Sequence, residues 1–202
     1  MAGWGCLGYE DRNHLKVGRF QHSNVPICQP LNLELENGER AMELGVKNKV
    51  ALVTGASRGL GYATALLLAK EGCRVAVNGR DEGRINASAE KIAHETGTQA
   101  YGFAGDAGDP SVPEKLVAQT VESLGGLDIL ITNTGGPPAG TFESFNEDAW
   151  HKAVDLSFMS HVRLIRAALP HLRKSDSPSV LTITSFTVKQ PLQNLVLSNS
   201  IR

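Results

Sequence analysis

The run Val50-Ala51-Leu52-Val53-Thr54-Gly55-Ala56-Ser57-Arg58-Gly59-Leu60-Gly61 decides how this chain is read. Four apolar residues lead into a glycine-rich turn, and the turn leads into Tyr62 to Glu71, where Ala63, Leu67 and neighbouring leucines keep helical spacing. The order is strand, tight turn, helix. Each glycine has a use in such a turn. Gly55 takes the sharp bend off the strand, Gly59 leaves the backbone bare where a pyrophosphate must come close, and Gly61 lets helix and strand pack tightly. The phosphates of a dinucleotide would then sit on the unpaired N–H groups at the helix N-terminus. Glycine-rich turns also serve purely structural roles, so the rest of the chain has to decide.

Outward from that run the chain alternates. Gly72 ends the first helix and Cys73 to Asn78 reads as a second strand. Arg84 to Thr96 places Ile85, Ala89, Ile92 and Ala93 on one face and stops at Gly97, the pattern of an amphipathic helix. A third strand spans Ala100 to Ala104. Asp109 and Pro110 are expected to cap and open a helix that buries Val112, Leu116, Val117, Val121 and Leu124 before Gly125-Gly126. A fourth strand runs from Leu127 to Thr132. After the loop Gly135 to Gly140, a long helix is expected from Glu147 to Leu172, with Trp150, Val154, Val162 and Ile165 facing the core. Val180 to Thr184 is the fifth strand. Strands alternating with helical patterns predict an α/β fold, a doubly wound parallel sheet with ligands at the carboxyl ends of the strands.

The totals bound the rest. A chain of 202 residues with 41% hydrophobic content suits one domain with a real core. Its 20 basic and 21 acidic residues give a formal net charge of −1, which argues against nucleic acid or an anionic membrane as partner. Cys6, Cys28 and Cys73 are odd in number and lack C-x-x-C, so neither a disulfide framework nor a zinc knuckle is indicated, and a reducing cytoplasmic setting is expected. The histidines His14, His22, His94, His151, His161 and His171 show no ligand spacing, and no metal site is expected. No apolar run approaches membrane-spanning length. Residues 1–41 follow neither a period of 2 nor one of 3.6 and read as an irregular extension, or an oligomer-contact arm; residues 42–202 read as the nucleotide-binding domain, with Met42 a natural start.

The spacing G-x-x-x-G-x-G, with Thr54 before it and Ser57-Arg58 inside it, resembles the cofactor loop of the short-chain dehydrogenase/reductase family. Nearest within the family are the 3-oxoacyl-(acyl-carrier-protein) reductase-like members, and the resemblance covers about residues 44–202. It implies a Rossmann-type domain that binds NAD(P) and moves hydride between nicotinamide and a carbonyl or alcohol carbon of a small molecule. It also implies a C-terminal continuation of helix, two strands and a substrate lid, so the chain reads as incomplete there, with apolar sheet surface left uncovered. A homo-oligomer is the family's habit for a full-length protein.

Residue by residue, the resemblance places Gly55, Ser57, Arg58, Gly59, Leu60 and Gly61 around the diphosphate. Where an NAD-binding member carries an acid at the end of the second strand, this chain has Gly79 followed by Arg80; with Arg58 on the same side, two cations face a 2′-phosphate, and NADP(H) is favoured over NAD(H). Arg80 could instead pair with Asp81 or solvent. Asp106, with the next backbone N–H at Ala107, matches the adenine contact or is an ordinary loop aspartate. Asn133-Thr134-Gly135-Gly136 is a variant of the family's Asn-Asn-Ala-Gly, in which Asn133 steadies the sheet and Gly135 lies along the cofactor.

The catalytic positions depart from the pattern. Ser185 matches the family's Ser, but thirteen residues on, where Tyr-x-x-x-Lys belongs, the chain reads Ser198-Asn199-Ser200-Ile201-Arg202. Val154-Asp155-Leu156 stands where the family has Val-Asn-Leu, so Asp155 takes the Asn position. A tyrosine hydroxyl, with a pKa near 10, can be tuned toward neutrality by a cation; a serine hydroxyl is a far weaker acid, and Arg202 does not deprotonate. The expected roles are Ser185 and Ser198 polarising the carbonyl and Arg202, Asp155 or water completing the proton path. Phe186, Gln190 and Leu192 are candidates for the substrate side, and Pro137-Pro138 for its rim. Three readings stay open: an NADP(H)-dependent carbonyl reductase, a nucleotide-binding protein without catalysis, and an inactive truncated fragment.

Overall fold

The computed structural model describes residues 35–36, 39–40 and 44–202. Leu35–Glu36 pairs antiparallel with Glu39–Arg40, a short hairpin the sequence did not suggest. The other expectations for residues 1–41, with Met42, Cys6, Cys28, His14 and His22, lie outside the described residues.

From Leu44 onward five parallel strands carry the domain: β1 (Val50–Val53), β2 (Arg74–Gly79), β3 (Ala100–Ala104), β4 (Ile129–Asn133) and β5 (Ser179–Ile183). Their order across the sheet is β3-β2-β1-β4-β5. The direction of winding therefore reverses between β1 and β4, and a doubly wound sheet opens its ligand crevice at that reversal. The helices are α1 (Gly59–Lys70), α2 (Glu82–Thr96), α3 (Val112–Leu124), α4 (Glu147–Val154), α5 (Ser160–Leu172) and α6 (Val196–Ile201).

β1 reads as an unbroken apolar run because both of its faces are covered. Ala51 and Val53 join Val75, Val77, Ala65, Ile85 and Ile92 on the face under α1 and α2. Val50 and Leu52 join Leu130, Leu116, Leu164 and Leu172 under α3 and α5. β5 lies at the sheet edge, and Val180 and Leu181 stay 44% and 53% exposed.

Three details differ from the sequence-based expectation. α1 starts at Gly59 rather than Tyr62, so the last two glycines of the loop belong to its first turn. Asp109 and Pro110 do not open α3: the Asp109 carboxylate accepts from Ser111 N at 2.8 Å and Ser111 Oγ at 2.9 Å in a local turn, and the helix begins at Val112 with Pro113 in its first turn. The long helix is interrupted by a π-helical segment, Asp155–Met159. The wider turn shifts the stripe that meets the core. Ala153, Ser157, His161, Leu164, Ala168 and Leu172 are buried, whereas Val154 is 37% exposed. Trp150 packs instead on Phe142, ring centroids 5.9 Å apart.

The glycine loop is held by close backbone approach. A Cβ on Gly61 would lie 2.5 Å from the Gly55 carbonyl oxygen and 3.0 Å from Cα of Ala56. Gly61→Ala is expected to cost about 1–3 kcal/mol through overpacking against backbone, while Gly126→Ala, with nothing within 4 Å, is expected to stay within about 0.5 kcal/mol of the parent. Urea denaturation of the two variants checks the contrast.

Candidate active site

The β1–β4 reversal is locked by one residue pair. The Thr54 hydroxyl donates to the Asn133 carbonyl at 2.8 Å and accepts from the Asn133 N–H at 2.9 Å. The Asn133 side-chain amide donates to the Gly55 carbonyl at 3.1 Å. Gly55, at φ +59, is pressed so tightly onto this pair that a Cβ there would stand 2.7 Å from the Asn133 carbonyl oxygen. Thus Asn133 ties the glycine loop to the strand tips.

Above the lock lies a cavity of about 360 Å³, the size of a small-molecule site. Gly55, Ser57, Arg58 and Gly59 line it from the glycine loop, and Arg80, Asp106 and Ala107 from the ends of β2 and β3. Asn133 and Gly135 line it from the end of β4. Two expected members do not: Leu60 points outward, 70% exposed, and Gly61 is buried behind the loop, where it serves packing. The sequence reading missed Asn78, Gly105, Thr134, Gly136 and Leu156. Asn78 was legible only as a strand residue, yet its side-chain amide donates to the carbonyls of Phe103 and Gly105, each at 3.0 Å, and so shapes the loop after β3.

These residues fit a dinucleotide. No side chain caps the first turn of α1, so its N–H groups stay available to phosphate. Gly59, at φ +62, has open space where a Cβ would project. Arg58 and Arg80 are exposed and make no ion pair among the described residues. Asp81 is not the partner of Arg80: its carboxylate caps α2 by accepting from Arg84 N at 2.8 Å. At position 79 a Cβ would stand 3.2 Å from Ser57 Cβ, a tight contact that Ser57 would have to relieve by a small shift. Asp106 accepts from Gly108 N at 3.0 Å in a turn of its own loop.

Ser185, Ser198 and Arg202 are not among the residues that line this cavity, and the segment past β5 carries hydroxyls. β4 and β5 pair Asn133 with Ile183, so the chain emerges with Ser185 two residues past the strand pair that bears the lock. Ser185 Oγ accepts from Thr187 N at 3.2 Å and from Thr187 Oγ1 at 2.9 Å. Thr187 Oγ1 lies 3.1 Å from Ser198 Oγ. A hydroxyl has one proton to give. Thr187 gives its own to Ser185, so Ser198 must donate to Thr187, and the Ser185 proton is left free to point outward. Thr187, 1% exposed, is the member that sequence reading missed, and the Ser185-x-Thr187 spacing of a hydroxyl turn was its only signal.

Arg202 follows Ser198 by one turn, its N–H donating to the Ser198 carbonyl at 3.3 Å. Its guanidinium approaches the β4 loop: a Cβ on Gly136 would lie 3.3 Å from Nη1. Asp155 is not brought to this group. Its carboxylate accepts from Arg163 Nη2 at 2.7 Å, and Arg163 Nη1 donates to the Gly108 carbonyl at 3.4 Å, so the acid braces the loop after β3 instead. The π-helical turn that carries Asp155 buries Ser157 in its place, 3% exposed and with an unpartnered Oγ. Tyr62 and Tyr101 do not substitute for the missing tyrosine. Tyr62 packs on the core beneath Lys91, and Tyr101 sits on β3 at the far edge of the sheet, 41% exposed. No group of His, Cys, Asp and Glu among the described residues could hold a metal ion.

Residues 49–197 match the family model of the short chain dehydrogenases, and the chain belongs to that family. Dehydrogenase/reductase SDR family member 4 of Bos taurus is 32% identical over 149 residues, which cover 73% of this chain and 53% of that protein. The chain thus spans about half the length of this relative. L-sorbose reductase from Gluconobacter frateurii, solved with NADPH and L-sorbose, superposes with a TM-score of 0.76 at 30% identity, over 78% of this chain and 60% of that one. A 7α-hydroxysteroid dehydrogenase solved with NADH gives 0.72 at 26% identity, over 77% and 60%. An NADPH-bound short chain oxidoreductase from Pseudomonas aeruginosa PAO1, described as containing an atypical catalytic center, gives 0.73 at 29% identity, over 76% and 60%. The chain is therefore an oxidoreductase-family protein with a Rossmann-type fold, and its structural relatives include NADPH and NADH complexes.

One titration follows from the site. Burial, and secondarily the charge of Arg202, hold the His161 imidazole below its ordinary pKa of 6.5. The folded protein binds this proton less readily than the unfolded chain does. Stability is therefore fully present above pH 6.5 and is lost as pH falls from there through the folded value. Urea denaturation at stepped pH is expected to show this acid-side loss, and His161→Leu is expected to flatten it.

Proposed function

We propose that this chain binds NADPH across the strand tips and reduces the carbonyl of a small molecule to an alcohol, with Ser185 giving the proton. The observation that carries the reading is the directed hydroxyl chain Ser198, Thr187, Ser185, which starts two residues past Ile183, the β5 partner of the cavity-lining Asn133. Gly55 to Gly59 would hold the diphosphate, Arg58 and Arg80 the 2′-phosphate, and Asp106 with Ala107 the adenine. A bound reduced nicotinamide would supply hydride. The chain's own part is to hold the carbonyl oxygen at Ser185, to stabilise the charge that builds there and to protonate it. Arg202 adds positive charge beside Gly136, a residue that lines the cavity.

Arg58 and Arg80, without an ion pair among the described residues, and the lack of an acid at Gly79 support NADP(H) over NAD(H). Exposed Phe186, Val188 and Leu192 beside Ser185 favour an apolar substrate body, and 3-oxoacyl thioesters are the class to try first. Exposed Val154 and Phe158 on the outer face of the long helix favour a homo-oligomer of the full-length protein. A cytoplasmic setting accords with the free, buried Cys73 thiol, pushed up to about 11 by burial. No helix of the described residues is long and apolar enough to cross a membrane.

A second reading, an NADP(H)-binding protein without turnover, is favoured by the lack of a tyrosine at Ser198. Ketone-dependent NADPH oxidation separates the two. Ser185→Ala is expected to lower kcat by about 100-fold or more, and Thr187→Val by about tenfold, the loss of one hydrogen bond in the chain. NADPH binding without oxidation by any ketone in the wild-type protein would select the second reading.

A further inference from the structure

Asp155 stands where a member of the proton path was expected, and the structure gives it other work. Its carboxylate accepts from Arg163 Nη2 at 2.7 Å, and Nη1 of the same guanidinium donates to the Gly108 carbonyl at 3.4 Å. Ideal helical spacing would set the two side chains apart. Eight residues at 3.6 per turn leave an offset of about 80° around the axis. The π-helical turn Asp155–Met159 lies between them, and a wider turn advances each residue by a smaller angle, which brings acid and guanidinium toward one line.

Gly108 belongs to the loop that leaves β3, whose members Asp106 and Ala107 line the cavity together with Leu156. That loop is held on both sides of the lining pair. Asn78 donates to the Gly105 carbonyl before it, at 3.0 Å, and Arg163 donates to the Gly108 carbonyl after it. Gly108 N in turn donates to the Asp106 carboxylate at 3.0 Å. A Cβ at position 108 would stand 3.6 Å from Cδ1 of Leu156, so the loop also lies against the residue that follows Asp155. The ion pair is partly open to solvent, its side chains 23% and 49% accessible, and such pairs add little to global stability. Its effect is local. An arginine has many rotamers, and the carboxylate selects the one whose fork reaches Gly108.

We propose that Asp155 is a positioning residue for the coenzyme: acting through Arg163, it fixes the Asp106-Ala107 segment against which the adenine is held. This rests on the reading of the cavity as a dinucleotide site, and it moves Asp155 from the proton path to the opposite end of the coenzyme.

Fluorescence titration with NADPH and NADH tests the role by the sign of one substitution. Asp155→Ala removes a negative charge near a polyanion, and Coulomb attraction alone would then tighten both dinucleotides. The positioning role predicts the reverse. Asp155→Ala is expected to weaken NADPH and NADH alike, by about three- to tenfold, the worth of one hydrogen bond. Their affinity ratio is expected to hold to about twofold, since both carry the adenine and Arg58 and Arg80 are untouched. Asp155→Asn, which keeps an acceptor for Arg163, is expected to recover most of the loss. Arg163→Met is expected to weaken binding to the same degree, and adding Asp155→Ala to it to cost nothing more, because the acid acts only through the arginine. If Asp155→Ala does not fold, Arg163→Met titrated with adenosine 2′,5′-bisphosphate serves, and wild-type affinity for that adenine half overturns the role. Unchanged or tighter dinucleotide binding in Asp155→Ala, or an undiminished effect of Asp155→Ala in the Arg163→Met background, overturns the positioning role alone. Failure of the wild-type chain to bind either dinucleotide overturns it together with the cofactor reading.

Discussion

The Thr54 hydroxyl stands between two parallel strands with its donor and an acceptor lone pair committed to the backbone of one residue, Asn133. That residue in turn spends its side chain on the Gly55 carbonyl. The whole site hangs from this exchange, because it sets how close the glycine loop comes to the tip of β4. Gly55 and Gly61 are then required by contact rather than by flexibility alone, since a methyl group at either would meet backbone at 2.7 or 2.5 Å. With the loop drawn in, the first turn of α1 opens over the sheet uncapped, and the positive end of a helix is aimed where a diphosphate fits.

Past the end of β5 the controlling quantity is the number of hydroxyl protons. Three side chains with one proton each, in a line ending at a half-buried Ser185, can be arranged in only one direction once Thr187 donates to Ser185. A line of serines and a threonine is a weaker acid than a tyrosine beside a lysine, and it gains from burial, which strengthens each hydrogen bond in it. Burial also raises the cost of any unpaired member, and Ser157, His161 and Arg202 show where that cost falls in this fold.

Much of this architecture was legible in the residues. The apolar run into G-x-x-x-G-x-G marked β1, the loop and α1, and the strand and helix alternation read correctly along the chain because both faces of the central strands are covered. On the glycine-loop side most of the residues singled out from the sequence do line one cavity, because their pattern is carried by backbone and by residue types with few substitutes. The catalytic positions were less legible. Asp155 occupies the expected place along the helix, yet the π-helical turn rotates it out to Arg163 and turns Ser157 in, a change that a helical period of 3.6 does not anticipate. His161 and Ser157 were not singled out for the buried stripe, which was sought among apolar residues. Thr187 acts only because a single helical turn folds it back onto Ser185, which spacing alone does not reveal.

The most direct measurement of the central claim is a calorimetric titration of the folded chain with NADPH and with NADH. The account predicts one binding event with NADPH, tighter than NADH by about tenfold or more, the worth of charge-assisted contacts from Arg58 and Arg80 to the 2′-phosphate. No heat with either dinucleotide would contradict the account at its root.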